Sequence, residues 1–260
     1  MARILDVTNK PPRVVVIGLA SCFGCQLQIT NAEAHLLDIL GQLDLQYWQL
    51  ASSAPEPEGE VDVVVIEGAI TTMESLETVK RWRDRAKAVI VIGACATTAG
   101  IPGIAAKDYT GRAATVYEGG LPEACGETIK PRSVSSVIKV EFEVRACPID
   151  PMDFVRVLGH ALYGSNENET TDTMCGSCKL NESGCFWRQG KQCLGLVTVA
   201  GCGAKCVELG RECNGCRGLS PHANLTAARA MVKAMGMDSR EFEESLQLFN
   251  QTDPMLEGDK

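Results

Sequence analysis

Aromatic residues are scarce in this chain: 3 Trp, 4 Tyr and 6 Phe among 260 residues. No basic stripe is interleaved with them, and 25 Lys plus Arg face 33 Asp plus Glu, for a formal charge of -8. Nucleic-acid binding rests on cationic patches and stacking aromatics, so that partner class is not expected. No apolar run of 18 residues is present to span a bilayer. The opening MARILDVTNKPPRVVVIG has neither the apolar core and cleavage site of a secretory signal nor a twin-arginine signal. A cytoplasmic location without membrane contact is the expectation. Histidine is also rare, and His35, His160 and His222 show no ligand spacing and read as structural or surface residues. Internal repeats are absent from the first half and low-complexity tracts from the whole chain, although ASSAPEPEGE at 51–60 reads as an exposed connection.

What the chain does have is cysteine, 13 residues of it. Cys22, Cys25, Cys95 and Cys147 are scattered through the first half. Cys175, Cys178, Cys185, Cys193, Cys202, Cys206, Cys213 and Cys216 crowd into residues 175–216. Without a secretory signal a disulfide framework is not expected. Twelve thiolates at four per site suggest three iron-sulfur clusters, and a chain rich in clusters with little else that is catalytic reads as a carrier of electrons. Structural zinc is the competing reading for the second group, because CGSC at 175–178 and CNGC at 213–216 are CxxC pairs.

The first half reads as alternating strands and helices: RVVVIGL at 13–19, DLQYWQL at 44–50, VDVVVIE at 61–67, AVIVIG at 88–93 and SVIKVEFEV at 136–144 as strands. Helices are expected over about 26–40, 74–87 and 152–163. That alternation predicts a flavodoxin-like, doubly wound parallel α/β sheet over 1–165, followed by a small, loop-rich iron-sulfur domain over 166–260. In such sheets ligands bind outside the carboxyl ends of the strands. Cys22 and Cys25, Cys95, and Cys147 each follow a strand and are expected on that one edge, where four thiolates can ligate a cubane cluster.

Gly24, Gly93 and Gly100 would let backbone approach an inorganic core, and Pro148 would fix the turn after Cys147. Glu67 and Gly68 end a strand on the same edge, and Glu67 reads equally as cluster-lining or as a solvated strand end. A thioredoxin-like role for CFGC would leave Cys95 and CPID unexplained. Between the last cysteines, CLGLVTVAGCGAKCVELGRECNGCRG offers little apolar material, so metal is expected to hold that domain together. Cys125, in the loop EGGLPEACGET, is left over as a free thiol.

SCFGCQLQIT, IEGAITTMES, VIGACATTAGIPG, ACPID and the eight-cysteine segment together resemble the small subunit of a nickel-iron hydrogenase. Details such as CKLNESGC, GKQCLGLVTVAGCGAKC, CNGCRG and MDSREFEESLQLFN are most similar to the delta subunits of cytoplasmic NAD(P)-linked enzymes of the sulfhydrogenase type. The resemblance implies a proximal 4Fe-4S cluster on Cys22, Cys25, Cys95 and Cys147. It implies a medial one on Cys202, Cys206, Cys213 and Cys216, and a distal one on Cys175, Cys178, Cys185 and Cys193. It further implies a separate large subunit with the nickel-iron centre, and partner subunits with iron-sulfur clusters, flavin and an NAD(P) site. Two extra cysteines found in oxygen-tolerant relatives are replaced here by Gly24 and Gly100, so an ordinary cubane is implied. Ser21 stands where some relatives have a proton-transferring glutamate. A hydrogenase subunit feeding heterodisulfide reductase is the nearest alternative, and a zinc-bearing scaffold is the alternative from another class.

Overall fold

The structure is a computed structural model that describes residues 10–32, 35–118, 120–164, 170–180 and 184–257. It divides into two compact units, Met1–Glu167 and Asn168–Lys260.

The first unit is built on five strands, β1 (Arg13–Gly18), β2 (Asp44–Trp48), β3 (Val61–Glu67), β5 (Ala86–Ile92) and β7 (Phe142–Val144). They pair in parallel in the order β2-β1-β3-β5-β7. Val and Ile dominate β1, β3 and β5 because both faces of a parallel sheet are covered. Val14, Val16, Val63, Val65, Ile90 and Ile92 face one core with Ile29, Phe154, Val157 and Leu158. The alternate residues Val15, Ile17, Val64, Ile66, Val89 and Val91 face the other with Val79 and Trp82. Each such fully buried aliphatic side chain contributes about 1.5–3 kcal/mol.

The covering helices are α1 (Gly24–Thr30), α2 (Leu36–Leu40), α3 (Met73–Arg85), α4 (Gly93–Thr98), α5 (Tyr109–Val116) and α6 (Pro151–Tyr163). Two of them start at clear sequence signals. At α3, Ser75 N–H donates to Thr72 Oγ1 at 3.1 Å while Ser75 Oγ accepts from Thr72 N–H at 3.0 Å, a reciprocal cap. At α6, Asp150 Oδ1 accepts from Met152 N–H at 2.8 Å, and Pro151 occupies the first helical position.

Three expectations are corrected here. The single helix over 26–40 is two helices, because α1 closes at Asn31, whose N–H bonds back to Leu27 O. The strand over 136–144 shrinks to Phe142–Val144, since Val137, Ile138 and Val140 pack on the core around Trp82 instead of extending the sheet. A short antiparallel ribbon of β4 (Ile70–Thr72) and β6 (Thr128–Arg132) went unforeseen.

The second unit contains α7 (Met174–Cys178), α8 (Lys205–Glu208), α9 (Leu225–Ala234), α10 (Ser239–Asn250) and α11 (Pro254–Glu257). The expectation of little apolar material there is also corrected. Met174, Phe186, Trp187, Leu194, Val197, Val207, Leu219, Leu225, Val232, Phe242 and Leu246 form an apolar core of their own. Leu225, Val232, Phe242 and Leu246 come from α9 and α10, downstream of the last cysteine, and Phe186, Trp187, Leu194, Val197 and Val207 from between the cysteines. Trp187 packs against Phe242 with ring centroids 6.4 Å apart, and its indole N–H donates to Cys193 O at 2.9 Å. Arg229 bridges α9 to α10 through two contacts to Glu243, at 2.6 and 3.1 Å.

Candidate metal centres

The sheet brings the first four cysteines together. Cys22 and Cys25 lie just after β1, Cys95 rides on α4 immediately after β5, and Cys147 follows β7. The segments are stitched to one another: Ala94 N–H donates to Ala146 O at 2.8 Å, and Cys25 N–H donates to Glu67 Oε1 at 3.1 Å. Burial raises the thiols of Cys25 and Cys95 above their ordinary value and pushes Cys147 up to about 11. The neighbouring thiols add to each shift, Cys147 and Cys95 acting on Cys25, and Cys22 acting on both Cys95 and Cys147. Burial and mutual repulsion hold Cys25, Cys95 and Cys147 in the protonated form, so a cationic guest is what would draw them out as thiolates.

Glu67 resolves in favour of lining. It is 1% exposed, and its charge acts on Cys25, Cys95 and Cys147. Its Oε2 has no hydrogen-bond partner among the described residues, and neither has Nε2 of the fully buried Gln26, whose Oε1 accepts from Trp48. Gln26 was not singled out from sequence, although its place directly after Cys25 was the available signal. Gly93 has φ +82, and a Cβ there would stand 2.4 Å from Cys25 Sγ. Orphaned buried polar atoms, a backbone cleared of side chains and an all-thiol donor set fit an iron-sulfur cluster. Ser21 serves the turn, accepting from Phe23 N–H at 3.3 Å. In the ACPID stretch, Ile149 is a core anchor and Asp150 a helix cap, so Cys147 is flanked by residues with structural roles.

In the second unit, burial pushes Cys175 up to about 11, and Cys193, Cys178 and Cys185 push it in the same direction. Burial likewise raises Cys178, with Cys193 and Cys185 adding to it. Those four form one group. Cys202, Cys206, Cys213 and Cys216 line a single small pocket. Burial raises Cys206 and pushes Cys213 up to about 12. Cys193 stands between the groups: its Sγ accepts from Cys213 N–H at 3.3 Å, while Leu194 N–H donates to Cys213 O at 2.8 Å. Among the described residues no three His, Cys, Asp or Glu side chains lie close enough together to hold one metal ion. Cys125 is exposed in its loop, and His35 and His222 are exposed. No helix among the described residues is long and apolar enough to cross a membrane.

Residues 22–161 match the family described as NADH ubiquinone oxidoreductase, 20 Kd subunit, a match that ends before the eight-cysteine segment. Over 237 residues the chain is 30% identical to sulfhydrogenase 2 subunit delta of Pyrococcus furiosus, covering 90% of this chain and 97% of that one. The chain belongs to the hydrogenase small-subunit family. Over 273 residues it is 28% identical to one subunit of the F420-non-reducing hydrogenase of Methanocaldococcus jannaschii, covering 92% of this chain and 93% of that one. A chain of a solved NAD+-reducing [NiFe]-hydrogenase superposes with a TM-score of 0.55 at 20% identity, over 61% of this chain and 95% of its own length. A chain of the Dm. baculatum [NiFeSe]-hydrogenase superposes at 0.54 with 18% identity, over 80% of this chain and 94% of its own. These likenesses show the α/β fold. As a small-subunit family member the chain is an oxidoreductase subunit with an electron-transfer role.

Proposed function

We propose that this chain carries electrons between the nickel-iron site of a hydrogenase large subunit and partner subunits bearing iron-sulfur clusters, flavin and NAD(P), during reversible hydrogen oxidation. Cys22, Cys25, Cys95 and Cys147 would hold a proximal 4Fe-4S cluster. Cys202, Cys206, Cys213 and Cys216 would hold a medial one, and Cys175, Cys178, Cys185 and Cys193 a distal one. Clusters bound there supply one-electron redox chemistry without proton or group transfer. No residue of this chain would touch hydrogen itself.

The observation that carries the reading is the convergence of Cys22, Cys25, Cys95 and Cys147, widely separated in sequence, on the carboxyl end of one parallel sheet. The chain's own residues do the positioning. Gly93 leaves room beside Cys25 Sγ, Glu67 fixes the Cys25 amide, and Asp150 starts the helix behind Cys147. In the second unit, the apolar core fixes the loops that present eight thiols, and the paired bonds between residues 193–194 and Cys213 hold the two groups in register. The likeness to the sulfhydrogenase subunit delta of Pyrococcus furiosus supports the subgroup whose resemblance implies a pyridine-nucleotide partner.

The test is purification of the native complex with metal and flavin analysis, expecting nickel, flavin and, once the iron of the nickel-iron site and of the partner subunits' clusters is subtracted, about twelve iron atoms per copy of this chain, four for each set of four thiolates. A Cys178→Ser complex that still assembles should keep hydrogen–deuterium exchange at the nickel-iron site and lose NAD(P) reduction. Iron near eight with stoichiometric zinc, or equal loss of both activities in a nickel-loaded complex, would refute the reading.

A further inference from the structure

The two thiol groups of the second unit share a wall, and the wall is Met174. Its backbone belongs to α7, the helix that also carries Cys175 and Cys178. Its side chain, only 1% exposed, enters the pocket of the other group, the one lined by Cys202, Cys206, Cys213 and Cys216. There the Cys202 thiol lies 3.9 Å from Met174 Sδ. The methionine is held from both sides. Its N–H donates to Thr198 O at 2.8 Å, and a Cβ at Gly195 would come within 3.7 Å of both Met174 Cβ and Cys193 Sγ.

Cluster potentials respond to hydrogen bonds onto the sulfurs and to water access, since donors and water stabilise the more negative reduced form. A thioether has no donor and excludes water, while remaining soft enough to pack against sulfur. A polar side chain of the same length would bring N–H groups to the same place.

We propose that Met174 is a positioning residue that keeps the Cys202 side of the medial cluster dry and free of donors, and so holds that cluster's reduction potential low. The proposal rests on the cluster assignment above. Because Met174 is anchored on the helix of the distal ligands, it also ties the surroundings of one cluster to the fold of the other.

The experiment compares intact complexes carrying wild type, Met174→Leu and Met174→Gln by iron analysis and EPR-monitored redox titration. The medial signal is identified as the one abolished by Cys202→Ser. Met174→Leu, apolar and of similar volume, should retain iron and the wild-type medial midpoint. Met174→Gln should retain iron and raise the medial midpoint enough to change the reduced-to-oxidised ratio at a fixed ambient potential about tenfold, ~59 mV for one electron, with the proximal midpoint unmoved. If the glutamine variant sheds iron, Met174→Thr and Met174→Val repeat the polar-against-apolar comparison at matched size. An unshifted medial midpoint in an iron-replete polar variant, or equal shifts in the polar and apolar variants, overturns the role of Met174 alone. A wild-type complex whose second unit holds zinc overturns the cluster assignment itself.

Discussion

Gly93→Ala separates the demands of the fold from those of the cluster. Gly93 opens α4 with φ +82, and an added Cβ would sit 2.4 Å from Cys25 Sγ, where ordinary contact begins at 3.4 Å. The backbone conformation alone costs an alanine about 1–2 kcal/mol, and the overlap adds about 1–3 kcal/mol if the sulfur cannot move. In the metal-free chain Cys25 can turn its thiol aside, so only the first cost applies. With Cys25 bonded to iron the sulfur is fixed and both costs fall on the loaded state, roughly 2–5 kcal/mol. The backbone cost is common to both states, so only the overlap bears on retention, and at 1.4 kcal/mol per decade it weakens cluster retention by about 5- to 140-fold. The assay is iron content with EPR of the purified complex: Gly93→Ala should lose the proximal signal and about four iron atoms. Gly126→Ala is the control, since φ is +65 there and a Cβ would meet nothing within 4 Å. It should keep every cluster despite a similar backbone cost. Full iron and an unaltered proximal signal in Gly93→Ala would refute the argument.

Cys125→Ser should leave iron content and hydrogen-dependent dye reduction unchanged, whereas Cys147→Ser should lower both; loss of a cluster from Cys125→Ser would show the ligands to be wrongly divided. Burial alone would raise the carboxyl of Glu141, but the Val89 amide at 2.8 Å and the Arg83 guanidinium at 2.7 Å outweigh it and hold the group below its ordinary 4.5. The stabilisation this brings is present above pH 4.5 and is lost as pH falls through the depressed value. Glu141→Gln should therefore cost about 1–2 kcal/mol near neutrality, with the gap to wild type closing below pH 4.5 in thermal melts; a gap independent of pH would contradict the assignment. Phe242→Ala, at a 1% exposed site against Trp187, should cost about 3–5 kcal/mol and expose the second unit to proteolysis even when its clusters are loaded. Unchanged protease resistance would mean that metal, not the apolar core, sustains that unit.

The legible parts of the fold were those where one physical signal dominated. Continuous Val and Ile runs marked β1, β3 and β5 because both faces are covered, and helical spacing marked α6 to within a residue of its start. Apolar residues that pack sideways carried no such label: Val137, Ile138 and Val140 look like strand but plug the core beside Trp82. The apolar core of the second unit was hidden because the text between its cysteines is glycine-rich, while Phe242, Leu246 and Val232, which complete it, lie beyond the last cysteine. At the candidate site, strand ends located Cys22, Cys25, Cys95 and Cys147, since topology converts sequence position into a shared edge. Burial of Glu67 and Gln26 behind those thiols was not legible, because a polar residue at a strand end or helix start reads the same whether it meets solvent or sulfur. Cys193 gave no sign of its contact with Cys213, which depends on a loop path rather than on spacing.

The division at 167/168 leaves each set of thiols complete within its own unit: four on the sheet edge, eight beyond it. No set is split across the boundary, so inheritance can act on the two halves separately. The family match over 22–161 stops short of the eight cysteines, as a module that can be gained or lost without disturbing the sheet edge would allow.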